Sequence, residues 1–254
     1  MAMDAAAAAP SQLTIVADGD SWCAYPRLLG TSGGLADHLA ATIGARLINL
    51  SKDGDASEET FGLKNAARIT DALKDHPQIF LLTSGGDDFA GDQFRLAINQ
   101  NHDGDVARGV NWAWFNAALD EIIADYQELQ RLRDQYSPNT LIISQSYGFP
   151  PATMMGVPVK ICGVTVAGPW LQPGFIDRGW TRPADQAAIV ALMLKALEDK
   201  LAAFAALDPM HLHVNLQPLL QPWHFGNELH FTAAGWDYAA QQINAAYLLR
   251  TMKS

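Results

Sequence analysis

His230 is the residue whose position first suggests chemistry. It stands alone in "WHFGNELHFTAAGW", residues 223–236, directly before the last helical pattern of the chain. A histidine there either has only a structural role, with its hydrogen bonds made to groups near the helix start, or accepts a proton from a nucleophile elsewhere in the chain. The rest of the sequence has to decide between these interpretations.

Three other segments contain residue types that bind or attack a substrate. Ser21 lies in "ADGDSW" at the turn that follows a predicted strand, Gly54 lies in "SKDGD", and "TSGGDDFAGD" covers residues 83–92. A serine can cap a helix or act as a nucleophile, and a glycine lets a backbone N–H approach a ligand closely. Gly, Asp and Ser also dominate ordinary turns, so each segment alone has a structural explanation. Their occurrence together favours a functional site.

Short β-rich runs that alternate with longer helical patterns would bring these segments together. The predicted strands cover residues 12–18, 45–50, 78–84, 139–146 and 211–216. Repetition of strand, helix and strand predicts one parallel sheet with helices on both faces. Such sheets bind ligands at the carboxyl ends of their strands, which is where the three segments lie.

The helical patterns supply the layers around this sheet. The clearest is a stripe of apolar residues at spacings of three and four, formed by Phe115, Ala118, Leu119, Ile122, Ile123, Tyr126 and Leu129. Such a stripe is typical of a helix that packs on the core. A second long helix is predicted from Pro183 to about residue 206, because proline costs little in a first turn. The last is predicted from its N-cap Thr232 to about residue 249.

Composition limits the class of protein. The chain has 254 residues, 49% hydrophobic and 17% charged, which predicts one domain over residues 11–254 behind a disordered leader at 1–10. A formal charge of −10 argues against nucleic acid and anionic membranes as partners, since both select clustered Lys and Arg. No stretch has the pattern of a signal peptide or a membrane span, so we expect a soluble protein, cytoplasmic by default.

Cysteine and histidine usage does not predict a metal site. Cys23 and Cys162 permit one disulfide and leave the compartment open. His211 and His213 alternate on a predicted strand and share a face, but no third ligand can be identified beside them. We therefore expect no bound metal.

Taken in order, the four segments resemble the sequence blocks of the SGNH hydrolases, also called the GDSL esterase/lipase family. The matching residues are "GDS" at 19–21, "DGD" around Gly54, "GGDD" at 85–88 and "NELH" at 227–230. The resemblance extends over about residues 13–249. It implies a flavodoxin-like, three-layer α/β/α sandwich with a five-stranded parallel sheet.

The resemblance also implies roles for these residues. Ser21 would be the nucleophile, and His230 the general base that takes its proton and returns it to the leaving alcohol. The backbone N–H groups of Ser21 and Gly54 would stabilise the oxyanion. Neither a metal nor an organic cofactor is needed, and the substrate would be a small ester.

Two positions depart from the family pattern. Asn227 stands where the family has the aspartate of its triad, and Asp87 stands where it has the asparagine of its oxyanion hole. Asn227 can still accept a hydrogen bond from His230 Nδ1–H, although it brings no full charge. Ionised Asp87 would repel an oxyanion, so only its protonated form could replace the asparagine. Glu228 is an alternative acid, but its adjacent position should point elsewhere.

The remaining features leave the substrate open. "SYGFPP" at residues 146–151 and "AGPWL" at 167–171 resemble loops of a bacterial branch of the same family. Trp112 and Trp114 either form an apolar acyl wall or belong to the core. The predicted function is a serine esterase. The alternatives are a catalytically silent binding protein of the same fold, motivated by Asp87 and Asn227, and a carbohydrate O-deacetylase.

Overall fold

The computed structural model of the protein describes residues 12–25, 33–51, 63–161 and 164–253. The strands in these ranges are β1 (Thr14–Gly19), β2 (Arg46–Asn49), β3 (Ile79–Thr83), β4 (Leu141–Gln145), β5 (Val159–Ile161), β6 (Val164–Ala167) and β7 (His211–Val214). The α-helices are α1 (Ser21–Ala24), α2 (Leu35–Ile43), α3 (Leu63–Lys74), α4 (Phe94–Ala97), α5 (Trp112–Tyr136), α6 (Gln172–Asp177), α7 (Pro183–Ala205) and α8 (Ala233–Thr251).

The main sheet has five strands in the order β2-β1-β3-β4-β7, and each neighbouring pair is parallel. The five predicted strands are thus confirmed, with ends that differ from the predicted ones by one or two residues. All five positions of β3 and of β4 are buried. Strands covered by helices on both faces have no solvent side, which explains why the first four residues of β3, "IFLL", are all apolar.

The helices form a layer on each face of the sheet. Helix α2 packs against α8, whereas α3 packs against α5 and α5 against α7. The predicted stripe lies on α5, where all of its members are buried except the half-buried Ile123. Pro183 is the first residue of α7, and the Thr232 side chain accepts the Gly235 N–H as the N-cap of α8. The three-layer α/β/α sandwich is therefore confirmed. No helix in the part of the chain that the structure describes is long and apolar enough to cross a bilayer.

Strands β5 and β6 form a separate antiparallel hairpin that the sequence analysis did not predict. Every residue of β6 is exposed. Strand β6 has only four residues and buries neither face, so "VTVA" is too short a run to be identified as a half-buried strand from its pattern. The hairpin connects two segments that border the candidate site, described below.

The carboxyl ends of β1 and β3 approach each other closely. Gly19 is in register with Thr83, and the Asp20 N–H donates to the Thr83 carbonyl at 2.8 Å. Gly19 has a φ of +128°, and a Cβ there would lie 1.8 Å from the Thr83 oxygen. Only glycine fits this position. This contact places Ser21, two residues later, at the edge of the sheet where the other candidate segments converge.

Candidate active site

Ser21 and His230 meet at the carboxyl edge of the sheet, although 209 positions separate them in the chain. Ser21 Oγ lies 2.7 Å from His230 Nε2. Ser21 is the first residue of α1, and His230 lies two residues before the N-cap of α8. Both are buried, with 6% and 3% of their surface exposed. A hydroxyl and an imidazole at this distance can share a proton.

Asn227 orients the imidazole from the other side. Its Oδ1 lies 3.2 Å from His230 Nδ1 and also accepts the backbone N–H groups of Leu229 and His230, each at 2.9 Å. The His230 carbonyl accepts the Gly226 N–H at 2.8 Å, which closes the turn. In the tautomer that donates Nδ1–H to Asn227, Nε2 is left to accept the Ser21 proton.

Aromatic rings cover the imidazole. The Tyr25 ring centroid lies 4.6 Å from that of His230, and the Trp170 indole meets it edge-on at 5.3 Å. Burial lowers the pKa of His230 to about 3, because the charged form loses its hydration. The imidazole of the free protein is therefore neutral, as a general base has to be, from mildly acidic to alkaline pH.

Asn227→Asp is expected to raise kcat/KM for a simple ester at pH 8 by roughly tenfold, the effect of about 1.4 kcal/mol on a rate. A carboxylate would stabilise the imidazolium that forms when Ser21 is deprotonated. The same charge raises the pKa of His230, so the variant should lose activity at a higher pH than the wild type. Initial rates of both proteins from pH 5 to 9 test this.

Asn227→Leu is the matching control, because it removes the acceptor for Nδ1–H. It should lower turnover while the far-UV circular dichroism stays unchanged. A Leu variant with full activity would mean that another group orients His230.

Asp20 anchors the segment that carries Ser21. Its Oδ1 accepts the Trp22 N–H and the Thr83 hydroxyl, each at 3.0 Å, and the Tyr147 hydroxyl donates to Oδ2. Burial raises the pKa of Asp20 to about 6, and these hydrogen bonds oppose the rise. The carboxyl thus caps α1 and ties it to β3 and to the loop after β4.

The third candidate segment passes close to Asp20. A Cβ on Gly86 would lie 2.8 Å from Asp20 Oδ2 and equally close to the Tyr147 ring, so the segment requires a glycine here. Asp87 follows and borders the same space as Ser21. Asp87 thus lies beside the space that Ser21 borders, and its assignment as an oxyanion residue stays a prediction. Gly54, the remaining candidate, lies outside the described residues.

Two cavities adjoin Ser21. The apolar cavity is bordered by α4 and α7, and its walls include Phe89, Phe94, Leu171, Met193 and Leu194. The open cavity is lined by Ser21, Asp87, Ala90, Gly91, Trp170, Leu229 and His230. Of the two, the open cavity is the one that borders the imidazole. Trp112 and Trp114 line neither, so the acyl-wall interpretation fails; Trp114 packs on the core and Trp112 is partly exposed.

Glu228 points away from His230, as its adjacent position predicted. Its carboxylate accepts the backbone N–H groups of Gly156, Trp170 and Leu171. Burial raises the pKa of Glu228, and these amide hydrogen bonds oppose the rise.

His211 and His213 share a face of β7, but they bond to protein groups. The Ser144 hydroxyl lies 2.8 Å from His211 Nε2 and 2.8 Å from His213 Nδ1. His213 Nε2 lies 2.8 Å from the buried Glu198 carboxylate. Within the described ranges, no group of three or more His, Cys, Asp or Glu side chains is arranged to hold a metal ion.

Cys23 is a free thiol and is fully buried directly behind Ser21. Burial raises the pKa of this thiol far above its usual range. It is therefore a packing residue and not a second nucleophile. Cys162 lies outside the described residues.

Tyr147, Trp170 and Glu228 were not identified as site residues from the sequence. A signal was present, because Tyr147 lies in "SYGFPP" and Trp170 in "AGPWL", the two segments that resemble loops of a bacterial branch of the family. Without the fold, nothing indicated that both loops reach Asp20 and His230.

Solved structures of hydrolases have the same architecture. The lipase Lip_vut3 from a goat rumen metagenome has a TM-score of 0.61 at 11% identity, with 92% of this chain and 97% of that chain covered. Phospholipase A1 from Streptomyces albidoflavus NA297 has a TM-score of 0.56 at 16% identity, with 93% of this chain and 100% of that chain covered. A member of the lipolytic G-D-S-L family from Veillonella parvula has a TM-score of 0.53 at 13% identity, with 93% of this chain and 98% of that chain covered. No protein-family model and no curated protein matches the sequence.

Proposed function

This chain has the SGNH hydrolase fold, and on that fold we propose that it is a serine hydrolase of carboxylic esters. Ser21 is the nucleophile and His230 the general base. The observation that carries this proposal is the 2.7 Å contact between Ser21 Oγ and His230 Nε2, in a buried pair that borders a cavity.

The reaction follows from this geometry in two displacements. His230 Nε2 takes the Ser21 proton as Oγ bonds to the ester carbonyl carbon, which gives a tetrahedral oxyanion. The intermediate breaks its bond to the alcohol oxygen, which receives the proton from Nε2–H, and leaves an acyl-serine. A water molecule then repeats the sequence, with His230 as its base, and releases the carboxylic acid.

The oxyanion needs hydrogen-bond donors. The Ser21 backbone N–H is one candidate, and Gly54 remains a second on the strength of the family resemblance alone. Asp87 lines both cavities beside Ser21, and its side chain would donate a hydrogen bond to the oxyanion only in the protonated form. The two departures from the family pattern, Asp87 in place of an asparagine and Asn227 in place of an aspartate, are the features that would limit the rate of hydrolysis.

The apolar cavity beside Ser21 supports a hydrophobic acyl group as part of the substrate. Its walls include aromatic and aliphatic side chains from six separate segments of the chain. Burial of an acyl chain there would be favourable by about 0.8 kcal/mol for each CH₂ group. A profile of nitrophenyl esters of increasing chain length, compared with acetylated sugars, would distinguish this substrate from that of a carbohydrate O-deacetylase.

Labelling with a fluorophosphonate probe tests the proposal. Ser21 should be the labelled residue, because the probe reacts with a hydroxyl only when a base activates it. Intact-mass measurement and peptide mapping identify the site. Ser21→Ala should abolish labelling, whereas Ser84→Ala, which removes a buried hydroxyl directly after β3, should retain it.

Two results would overturn the proposal. One is labelling that persists unchanged in Ser21→Ala. The other is a folded wild type that is not labelled at any pH from 5 to 9, which would favour a catalytically silent binding protein with this fold.

A further inference from the structure

Glu228 is a buried carboxylate that the proposed reaction does not use. It is 1% exposed and lies between Asn227 and Leu229 in the turn that carries His230. Its Oε2 accepts the Gly156 N–H at 2.9 Å, and its Oε1 accepts the N–H groups of Trp170 and Leu171, the latter at 2.7 Å. Hydrogen bonds from amides to an ionised carboxylate are stronger than those between neutral groups.

These amides belong to the two ends of the β5–β6 hairpin. Gly156 precedes β5, and Trp170 and Leu171 follow β6. Glu228 therefore ties both ends of the hairpin to the turn that carries the base. Strand β6 is exposed along its whole length, so this attachment, together with the burial of Leu171 in the core, fixes where the segment after the hairpin lies.

Trp170 is the side chain that this attachment places at the site. Its indole meets the His230 ring edge-on at 5.3 Å and forms a wall of the open cavity together with Ala90 and Leu229. The indole also lies against Gly168, where a Cβ would be 2.6 Å from the ring. The indole thus contacts both the backbone of its own loop and the imidazole.

The proposed reaction determines which part of an ester meets this wall. The leaving alcohol oxygen has to receive a proton from His230 Nε2, so the alcohol group lies on the side of the imidazole. Of the two cavities beside Ser21, the open cavity is the one lined by His230. The open cavity is accordingly the leaving-group site, and Trp170 is the aromatic surface within it.

We propose that Glu228 is a positioning residue that holds the Trp170 indole in the leaving-group site, where the indole favours esters whose alcohol carries an aromatic ring. This inference rests on the proposed function. Two aromatic rings in contact attract each other beyond the area that they bury. The chain should therefore prefer an aromatic alcohol to an aliphatic one of similar size when the acyl group is the same.

The test compares benzyl acetate with cyclohexylmethyl acetate, its saturated counterpart of the same carbon count, through the ratio of their kcat/KM values. Trp170→Ala should lower the ratio about tenfold, at the upper end of what an aromatic pair contributes. Glu228→Gln should lower it by several-fold, because a glutamine offers one oxygen and its NH₂ group would face an N–H donor. The double variant should lose no more than Trp170→Ala alone, since Glu228 acts through the indole.

Glu198→Gln is the matched control. Glu198 is also a buried glutamate, but it bonds to His213 on β7 and lines neither cavity. It should leave the ratio unchanged, even if it lowers stability. A role of Glu228 in stability alone would lower both kcat/KM values equally and would also leave the ratio unchanged.

Three results would overturn the inference: an unchanged ratio in Trp170→Ala, an unchanged ratio in a folded Glu228→Gln, or losses that multiply in the double variant. If Glu228→Gln does not fold, Trp170→Ala and Glu228→Asp take its place in the test. The shorter carboxylate of Glu228→Asp should keep the ratio between the value of the wild type and that of Trp170→Ala. If the wild type hydrolyses both esters and these variants have the same ratio of kcat/KM values as the wild type, only this inference is overturned. A wild type inert to esters and to fluorophosphonate overturns the proposed function.

Discussion

His230→Gln is expected to lower kcat for ester hydrolysis by at least roughly 10⁴-fold, the size of effect seen when serine hydrolases lose their base. Glutamine occupies a similar volume, but its amide cannot take up the Ser21 proton at neutral pH. The serine hydroxyl is then a weak nucleophile, and what remains is catalysis by substrate binding and by the oxyanion donors. Single-turnover rates with a nitrophenyl ester measure the loss.

His224→Gln is the control for this variant. His224 lies six residues upstream and is also buried, but its Nδ1 accepts the Gln221 N–H and its ring stacks on Tyr238. Its replacement should leave kcat within about threefold of the wild type, the range of roughly 0.5 kcal/mol. The double variant of Ser21→Ala and His230→Gln should be no less active than either single variant, because the two residues act as a unit. If His230→Gln kept a tenth of the wild-type rate, His230 would not be the base.

Asp87→Asn is expected to increase kcat at pH 8 by up to roughly ten- to thousandfold, the effect attributed to one oxyanion donor. Asp87 borders Ser21 in both cavities. An ionised carboxylate donates no hydrogen bond and repels the developing oxyanion, whereas an asparagine amide donates at any pH. The change would make the chain a better enzyme than it is, which is an unusual outcome for a single substitution in an active site.

The gain should shrink as the pH falls. Protonation gives wild-type Asp87 an O–H donor, so the two proteins become more alike. The ratio of variant to wild type from pH 5 to 9 is the quantity to measure, because any other effect of pH on the rate is common to both proteins. A ratio at or below one over this whole range would show that Asp87 is not at the oxyanion position.

The sequence predicted the sheet and the long helices because their patterns are local. The stripe on α5, Pro183 at the start of α7 and Thr232 at the start of α8 each depend on neighbours within one or two turns. The hairpin of β5 and β6 was missed because its strands have only three and four residues and β6 buries no face, so that no pattern is long enough to identify them.

Candidate site residues could be predicted only where a reactive residue type stands directly after a predicted strand or directly before a predicted helix. Ser21, Asp87, Asn227 and His230 lie on or beside the ends of regular elements, and the structure brings them together at one edge of the sheet. Loop paths cannot be derived from local propensity. Contacts such as that of Tyr147 with Asp20, across 127 positions, and that of Glu228 with the Trp170 N–H therefore required the structure.

Cys23 gives this chain a built-in reporter of local unfolding at its nucleophile. The thiol is fully buried two residues after Ser21, and its raised pKa keeps it protonated. A maleimide can reach it only in molecules whose α1 has transiently separated from the sheet. The rate of modification at this position therefore measures how often the serine segment opens, and a ligand that holds Ser21 in place would lengthen the lifetime of the unmodified protein.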